Sequence, residues 1–241
     1  MIDIHSHILP GVDDGPSTKG EALQILSEAQ KAGVKTIIAT PHYSRGLYEN
    51  GMVEQVYDVM RSEALRFGIE LLRGYEIKIH HYPARMPVDF SDLDLSGTKF
   101  ILLELPLDKV PSYAPEQIYK LQLKGFVPII AHPERCRRLS LDKELFDELY
   151  DAGCLMQVDA ASIIGVNGAR AKRFARKLIK MNVASFVASD AHNPEGYSKW
   201  YCEAYKRVVK WLGTIEADDL FNNNAERIFG CVAAVSSEVS K

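Results

Sequence analysis

The chain has 241 residues, enough for one large domain to bury its hydrophobic core without crosslinks. Hydrophobic residues make up 46% and charged residues 25% of the sequence, which is typical of a folded globular protein and excludes a disordered or fibrous chain. The formal net charge of -3 gives no reason to expect nucleic acid as a partner.

The cysteines and the N-terminal sequence predict the compartment. Four cysteines are widely spaced, at positions 136, 154, 202 and 231, and no basic, apolar leader precedes the first predicted strand. These features indicate a reduced, cytoplasmic protein. No segment approaches the roughly 20 apolar residues that a membrane span requires, so membrane insertion is not predicted.

Short apolar runs alternate with longer amphipathic ones along the chain. The strand predictions cover residues 2–5, 35–40, 70–75, 99–105, 127–132, 155–159 and 185–189. The helix predictions cover residues 18–32, 53–67, 115–123, 142–152, 169–181 and 201–212. This alternation predicts a parallel α/β fold, and the lack of a linker favours one closed barrel over two domains. An open, doubly wound sheet fits the same alternation.

Imidazole and carboxylate side chains recur where the predicted strands end. These residues are His5, His7, His42, Glu76, Glu104, His132, Asp190 and His192. In a parallel barrel the carboxyl ends of the strands share one rim, where active sites form. The recurrence therefore predicts a metal site at the C-terminal ends of the strands.

Two short motifs in this set repeat the same spacing. His5 and His7 lie two residues apart, so in an extended strand both rings point the same way and can reach one ion. Asp190 and His192 repeat the spacing with one carboxylate. Nitrogen and oxygen donors without thiolate favour a catalytic zinc, manganese or iron site over a structural cysteine site.

Asp14, in the loop after the histidine pair, brings the candidate donors to nine. Two or three ions that share a bridging carboxylate would use all of them. Such clusters activate a water and hold the oxygens of a phosphoryl group. Asp13 competes with Asp14 for the ligand role and alternatively tightens the turn at Gly15.

The motifs at residues 3–7, 13–15, 40–43, 74–77, 131–135 and 189–192 resemble, in the same order, those of the polymerase and histidinol phosphatase (PHP) superfamily. Within it, the opening His-Ser-His-Ile-Leu-Pro-Gly-Val-Asp-Asp-Gly is similar to the bacterial metal-dependent protein-tyrosine phosphatases of capsular and exopolysaccharide operons. The motifs span residues 3–192, so the resemblance covers most of the chain.

The lack of a linker predicts a single domain over residues 1–230, and the small, polar residues 231–241 are predicted to form a flexible tail. The resemblance implies that the domain is a distorted seven-stranded (β/α)7 TIM-like barrel. It implies two or three divalent ions; Mn²⁺ is the expected ion, and iron, zinc and magnesium are the alternatives. By motif, the ligand sets are His5, His7, Glu76 and Asp190; Glu76, Glu104 and His132; and Asp14, His42 and His192. The implied substrate is the phosphotyrosine-containing tail of a bacterial tyrosine kinase that regulates polysaccharide synthesis; an oligomer is compatible.

Arg135, three residues after His132, is the candidate catalytic and substrate-binding residue, because its planar guanidinium can grip a phosphate oxygen. Arg137 and Arg138 fit either a solvated loop or contacts with an acidic peptide. Relatives in this phosphatase group tend to carry a second arginine shortly after Asp-x-His. Residues 193–200 contain none here, which makes Lys199 the candidate substitute.

Other sequence features separate the alternatives. A cysteine phosphatase is excluded, because the sixth residues after the cysteines are Asp142, Ala160, Val208 and Ser237, and none is arginine. A PHP-type phosphatase of a small monoester such as histidinol phosphate is the first alternative, and a non-catalytic, metal-stabilised regulator that docks on the kinase is the second. The basic residues at 170–180 are predicted to form a solvated helix face, with docking of an acidic tail as the alternative.

Overall fold

Strands and helices alternate through the computed structural model, which describes residues 1–43, 50–80, 87 and 89–229. The described strands are β1 (Ile2–Ser6), β2 (Thr36–Ala39), β3 (His42–Tyr43), β4 (Glu70–Arg73), β5 (Glu76–Lys78), β6 (Phe100–Glu104), β7 (Val127–Ala131), β8 (Leu155–Asp159) and β9 (Phe186–Ala188). The described α-helices are α1 (Lys19–Lys31), α2 (Asn50–Arg66), α3 (Ala114–Leu123), α4 (Arg137–Leu141), α5 (Lys143–Asp151), α6 (Ala160–Ile164), α7 (Gly168–Lys180), α8 (Cys202–Leu212) and α9 (Thr214–Asp218). Two π-helical turns cover Gly196–Tyr201 and Asp219–Asn223.

The strands form two sheets, and every described strand pair is parallel. One sheet has the order β1-β2-β4 and the other the order β3-β5-β6-β7-β8-β9. Helices follow most strands and cover the outer faces, as parallel sheets require. The predicted parallel α/β fold is confirmed. None of the helices in the described ranges is long and apolar enough to cross a membrane.

Two predicted strands end earlier than expected, and each is followed by a short strand that was not predicted. The strand predicted at 35–40 is β2, and β3 follows it after Pro41; the strand predicted at 70–75 is β4, and β5 follows it after Gly74 and Tyr75. Proline has no N–H for the strand ladder, and a Cβ on Gly74 would lie 2.6 Å from Leu95 Cδ2. His42 and Glu76 therefore begin new strands as register partners instead of following strand ends.

The ends of β1 and β9 join the two sheets. Asp190 N donates to His5 O (2.9 Å), and His7 N donates to Ala191 O (3.0 Å). A parallel bridge pairs Ser6 with Ala191. These bonds bring the two predicted metal-ligand motifs, at residues 5–7 and 190–192, side by side.

Helix α1 illustrates how local sequence and core packing agree. Thr18 and Glu21 form the predicted capping box, in which each side chain accepts from the other residue's backbone N–H. The predicted apolar face of α1 is buried in the layer between helices and strands; it consists of Ala22, Ile25, Leu26 and Ala29. The chain leaves this helix through Gly33, whose φ of 79° is a conformation that suits glycine.

A second apolar cluster lies among the strands themselves. It draws residues from six of them: Ile2, Ile4, Ile38, Leu72, Leu102, Ile129, Ala131, Phe186 and Ala188, with Leu155 of β8 packed against it. Phe229 and Ala225 in the last described helical segment cover one end of the cluster. The predicted tail at 231–241 lies outside the described residues.

Asp3 connects β1 to the chain after β9. Its carboxylate is fully buried and accepts hydrogen bonds from Ser189 N (3.0 Å) and from the hydroxyl of Tyr197 (2.7 Å). Burial raises the pKa of Asp3, although the hydrogen bonds from Ser189 and Tyr197 oppose that rise. The hydroxyl of Tyr197 thus satisfies a buried acceptor that has no access to water.

We expect Tyr197→Phe to lower the free energy of unfolding by about 1–3 kcal/mol, because it removes one donor from a buried carboxylate. Urea denaturation of the purified variant measures this change. Tyr119→Phe is the matched control, since the ring of Tyr119 is exposed. Equal stability of the two variants would contradict the importance of the Tyr197–Asp3 hydrogen bond.

Candidate metal centre

The carboxylate of Glu76 lies at the centre of a group of four histidines. Its oxygens are 2.9 Å from His42 Nδ1, 3.0 Å from His132 Nε2, 3.5 Å from His5 Nε2 and 3.5 Å from His7 Nε2. Only 1% of Glu76 is exposed. Burial alone would raise the pKa of Glu76, but the surrounding histidines hold it well below its usual range. Glu76 is therefore ionised and faces four nitrogen donors.

Asp190 adds a second carboxylate beside the histidine pair. Its Oδ1 lies 3.2 Å from His5 Nε2 and 3.3 Å from His7 Nε2, and these two nitrogens are 3.2 Å apart. Burial lowers the pKa of His5, but the carboxylates of Asp190 and Glu76 outweigh it and raise the pKa to about 9. An environment that stabilises a positive imidazolium also stabilises a metal cation.

Hydrogen bonds from outside the cluster orient the first two histidines. His5 Nδ1 lies 2.9 Å from Gln157 Oε1, and His7 Nδ1 lies 2.7 Å from Asp13 Oδ2. When Nδ1–H donates to these acceptors, the lone pair of Nε2 points into the cluster, which is how metal-binding histidines are usually held. Sequence reasoning missed Gln157, because its side chain carries no charge. It is the third of the five residues of β8.

The structure assigns different positions to the two adjacent aspartates. Asp13 is buried against His7, accepts from the backbone N–H of Gly15 and of His42 (3.0 Å each), and so tightens the turn. Asp14 points outward, with Oδ1 3.2 Å from His192 Nε2 and 3.5 Å from His42 Nε2. The geometry favours Asp14 as the ligand and Asp13 as the residue that orients His7.

All nine predicted donors lie in one continuous cluster. Within the described ranges, four groups place one donor atom per residue within 4.8 Å of the others: His7, Asp14, His42 and His192; His5, His7 and Asp190; His5, Glu76 and His132; and His42, Glu76 and Glu104. The sequence-based sets paired Glu104 with His132. In the structure these two residues belong to separate groups that share Glu76, because His42 lies next to Glu76 in register on β3.

Arg135 lies at the edge of the cluster, and Lys199 lies apart from it. The Arg135 side chain is 27% exposed, and Nη1 is 2.5 Å from Asp190 Oδ2 and 3.9 Å from Asp159 Oδ2. Lys199 is largely exposed and pairs with Glu195, four residues earlier on the same turn (2.6 Å). Its contacts in the described structure include none of the nine donors, so a role in phosphate binding stays a prediction.

A buried pair of carboxyl groups next to Arg135 was not predicted. Glu134 Oε1 accepts from Asp159 N (3.0 Å), and Asp159 caps α6 by accepting from Ala161 N (2.7 Å). Burial raises the pKa of each carboxyl to about 7. The negative charge of Asp159 adds to the rise for Glu134, and that of Asp190 adds to the rise for Asp159. Asp159 ends β8, so its position at a strand end is the signal that could have identified it.

A parallel α/β fold with imidazole and carboxylate donors gathered at one edge is the arrangement of many metal-dependent hydrolases. Residues 1–230 match the model of the capsular polysaccharide synthesis family CpsB/CapC, and the chain belongs to this family. The resemblance inferred from the motifs is thereby confirmed.

Two relatives and one solved structure illustrate the similarity. Tyrosine-protein phosphatase YwqE of Bacillus subtilis is 38% identical over 230 residues, which cover 94% of this chain and 90% of that protein. Tyrosine-protein phosphatase CpsB of Streptococcus agalactiae is 32% identical over 240 residues, 95% of this chain and 98% of that protein. A solved structure also matches, with a TM-score of 0.83 and 35% identity over 94% of this chain and 93% of that chain. It belongs to the crystal structures of YwqE from Bacillus subtilis and CpsB from Streptococcus pneumoniae, which are described as unique metal-dependent tyrosine phosphatases.

Loss of a residue that only hydrogen-bonds to a metal ligand typically lowers metal affinity ~10-fold to 100-fold. Glu76→Gln is expected to lower it by more, because the change neutralises a carboxylate that two donor groups share. Elemental analysis after dialysis against graded chelator measures the loss without recourse to activity. Glu195→Gln, at an exposed pair with Lys199, is the control. Metal content equal to that of the wild type would refute a central role for Glu76.

Proposed function

We propose that this chain is a metal-dependent protein-tyrosine phosphatase that acts in capsular or exopolysaccharide synthesis. The observation that carries the proposal is the Glu76-centred donor cluster with the guanidinium of Arg135 at its edge. The family match over residues 1–230 and the 38% identity to the tyrosine-protein phosphatase YwqE support the same conclusion.

The donor set fits two or three divalent ions, and Mn²⁺ is the proposed one. Imidazole and carboxylate donors without thiolate suit manganese, iron or zinc, and the buried carboxylates of Glu76 and Asp190 supply the negative charge that several cations require. When bound, such ions activate a water and neutralise phosphoryl oxygens. The proposed ligands are His5, His7, Asp14, His42, Glu76, Glu104, His132, Asp190 and His192.

Arg135 is proposed to hold the phosphoryl group. Its guanidinium is partly exposed and contributes no ligand atom to the cluster, so it can turn the edge that carries its N–H groups toward a nonbridging oxygen. The leaving group is a phenol with a pKa of about 10, which departs far more readily than an alkyl alcohol. A dedicated general acid is therefore not required for phosphotyrosine.

The exposure of the cluster supports a substrate that approaches from outside. The side chain of Asp14 is 60% exposed and that of His192 is 30% exposed, whereas Glu76 and the first histidine pair are buried. A phosphotyrosine side chain is long enough to bring its phosphate to such an edge while its peptide backbone stays on the surface. We propose the tail of a bacterial tyrosine kinase as that peptide; the cytoplasmic location stays a prediction.

We also propose that the two sheets form one distorted seven-stranded barrel within a single domain over residues 1–230. The bonds between β1 and the segment after β9 support closure on one side. On the other side, β2 continues into β3 and β4 into β5 after breaks of two residues, so nine strand segments correspond to seven strands. The family match over residues 1–230 supports one domain.

The function is tested with metal-free protein that is reloaded with Mn²⁺ and assayed on a phosphotyrosine peptide, a phosphoserine peptide and histidinol phosphate. We expect the highest kcat/KM on phosphotyrosine and complete loss of turnover in excess chelator. Preference for histidinol phosphate would favour the small-molecule phosphatase. Metal binding without turnover of any of the three would favour the non-catalytic regulator.

Arg135→Ala should keep the metal content of the wild type and lose ~10²-fold to 10³-fold in kcat/KM on an aryl phosphate, because one positioned cation is removed from a developing anionic centre. Arg135→Lys should recover only part of the loss, since an ammonium keeps the charge without the planar fork. The exposed Arg173 supplies the control variant, Arg173→Ala. Wild-type turnover by Arg135→Ala would show that the arginine is only a surface charge.

A further inference from the structure

Arg170 occupies an unusual position on α7. It is the third residue of the helix, where the N-terminal end of the helix dipole disfavours a positive charge. The sequence predicted a solvated helix face for this basic segment, which is correct for the exposed Arg173 and Arg176 but wrong for Arg170. The Arg170 side chain is partly buried and hydrogen-bonded, because α7 packs close to the segment that carries Arg135.

The guanidinium of Arg170 donates two hydrogen bonds to that segment and one to Ser140 in α4. Nη2 donates to Arg135 O (3.0 Å), and Nη1 donates to Glu134 O (3.3 Å) and to Ser140 Oγ (3.1 Å). Arg170 forms no ion pair with a carboxylate in the described part of the chain. Its N–H groups instead donate to the backbone carbonyls of two successive residues, Glu134 and Arg135. A planar guanidinium can reach both carbonyls at once, whereas a single ammonium cannot.

The segment that Arg170 contacts is a tight turn after β7. His132 has a positive φ of 32°, Arg135 N donates to His132 O (2.9 Å), and Cys136 N donates to Pro133 O (3.2 Å). This turn brings a cluster histidine and the phosphate-binding candidate within three residues of each other. The direction of the Arg135 side chain therefore depends on how firmly the turn is held.

We propose that Arg170 is a positioning residue that holds the turn at residues 132–136 so that the guanidinium of Arg135 faces the phosphoryl group. The proposal rests on the proposed phosphatase function. Arg170 touches neither the nine donors nor, by this assignment, the substrate. It acts through the backbone of Glu134 and Arg135.

The kinetic test compares Arg170→Met with Arg173→Met on an aryl phosphate. Because small displacements of a positioned group reduce rates strongly, we expect Arg170→Met to lower kcat/KM by ~10-fold to 100-fold with metal content unchanged. Arg173→Met should match the wild type. Arg170→Lys should recover part of the loss, since it keeps one donor.

A double-mutant cycle separates positioning from general stability. If Arg170 acts through Arg135, Arg170→Met should cause no further loss of kcat/KM in an Arg135→Ala background. The inhibition constant of inorganic phosphate should rise in both single variants, less in Arg170→Met than in Arg135→Ala, and no further in the double variant than in Arg135→Ala. Equal loss from Arg170→Met in both backgrounds, or no loss in the wild-type background, would overturn the proposal.

A readout that does not depend on turnover keeps the two proposals apart. Hydrogen exchange at the amides of Arg135 and Cys136 should accelerate in Arg170→Met and stay unchanged in Arg173→Met. If the wild-type protein hydrolyses no phosphate ester, the phosphatase proposal fails. Amide hydrogen exchange and the binding of inorganic phosphate then still test the role of Arg170. Unchanged exchange in Arg170→Met would overturn that role even in an active enzyme.

Discussion

The site depends on burying one negative charge, the carboxylate of Glu76, among imidazoles that arrive from three other strands. An isolated carboxylate in such a place would be strongly destabilising, so the fold must supply compensating partners from several directions at once. The histidines provide them, and they can do so only if β1, β3 and β7 converge beside β5. The same convergence produces the closely spaced donor groups that suit metal cations.

A layer of hydrogen bonds outside the donors keeps their rings aimed inward. Asp13 and Gln157 each accept from the Nδ1 side of a histidine, and Asp3 ties the first strand to the segment that carries Asp190. Asp3 and Asp13 come from the N-terminal segment and Gln157 from β8. The oxygens that accept these hydrogen bonds are buried, so the rings do not need solvent to keep their orientation.

Charge changes sign at the edge of the site. The donor cluster is rich in carboxylates, whereas Arg135 brings a positive charge to within hydrogen-bonding distance of Asp190. Arg170 adds a second positive charge that no carboxylate in the described structure neutralises, because its donors are used on carbonyls. Under the proposed function, the guanidinium of Arg135 is the cationic group that a phosphate ester would contact at this edge.

The sequence by itself determined the parallel α/β fold and the capped helix α1, because both follow from local periodicity. It also identified the nine candidate donors, most of which lie at or just after the ends of the predicted strands. The tertiary structure decided what depends on distances between remote segments. It added short strands that begin at His42 and Glu76 and grouped Glu104 with His42. It also turned Asp13 inward and Asp14 outward, and placed Arg170 against the Arg135 turn. Sheet curvature and helix packing set those distances, and neither is encoded in the spacing of residues along the chain.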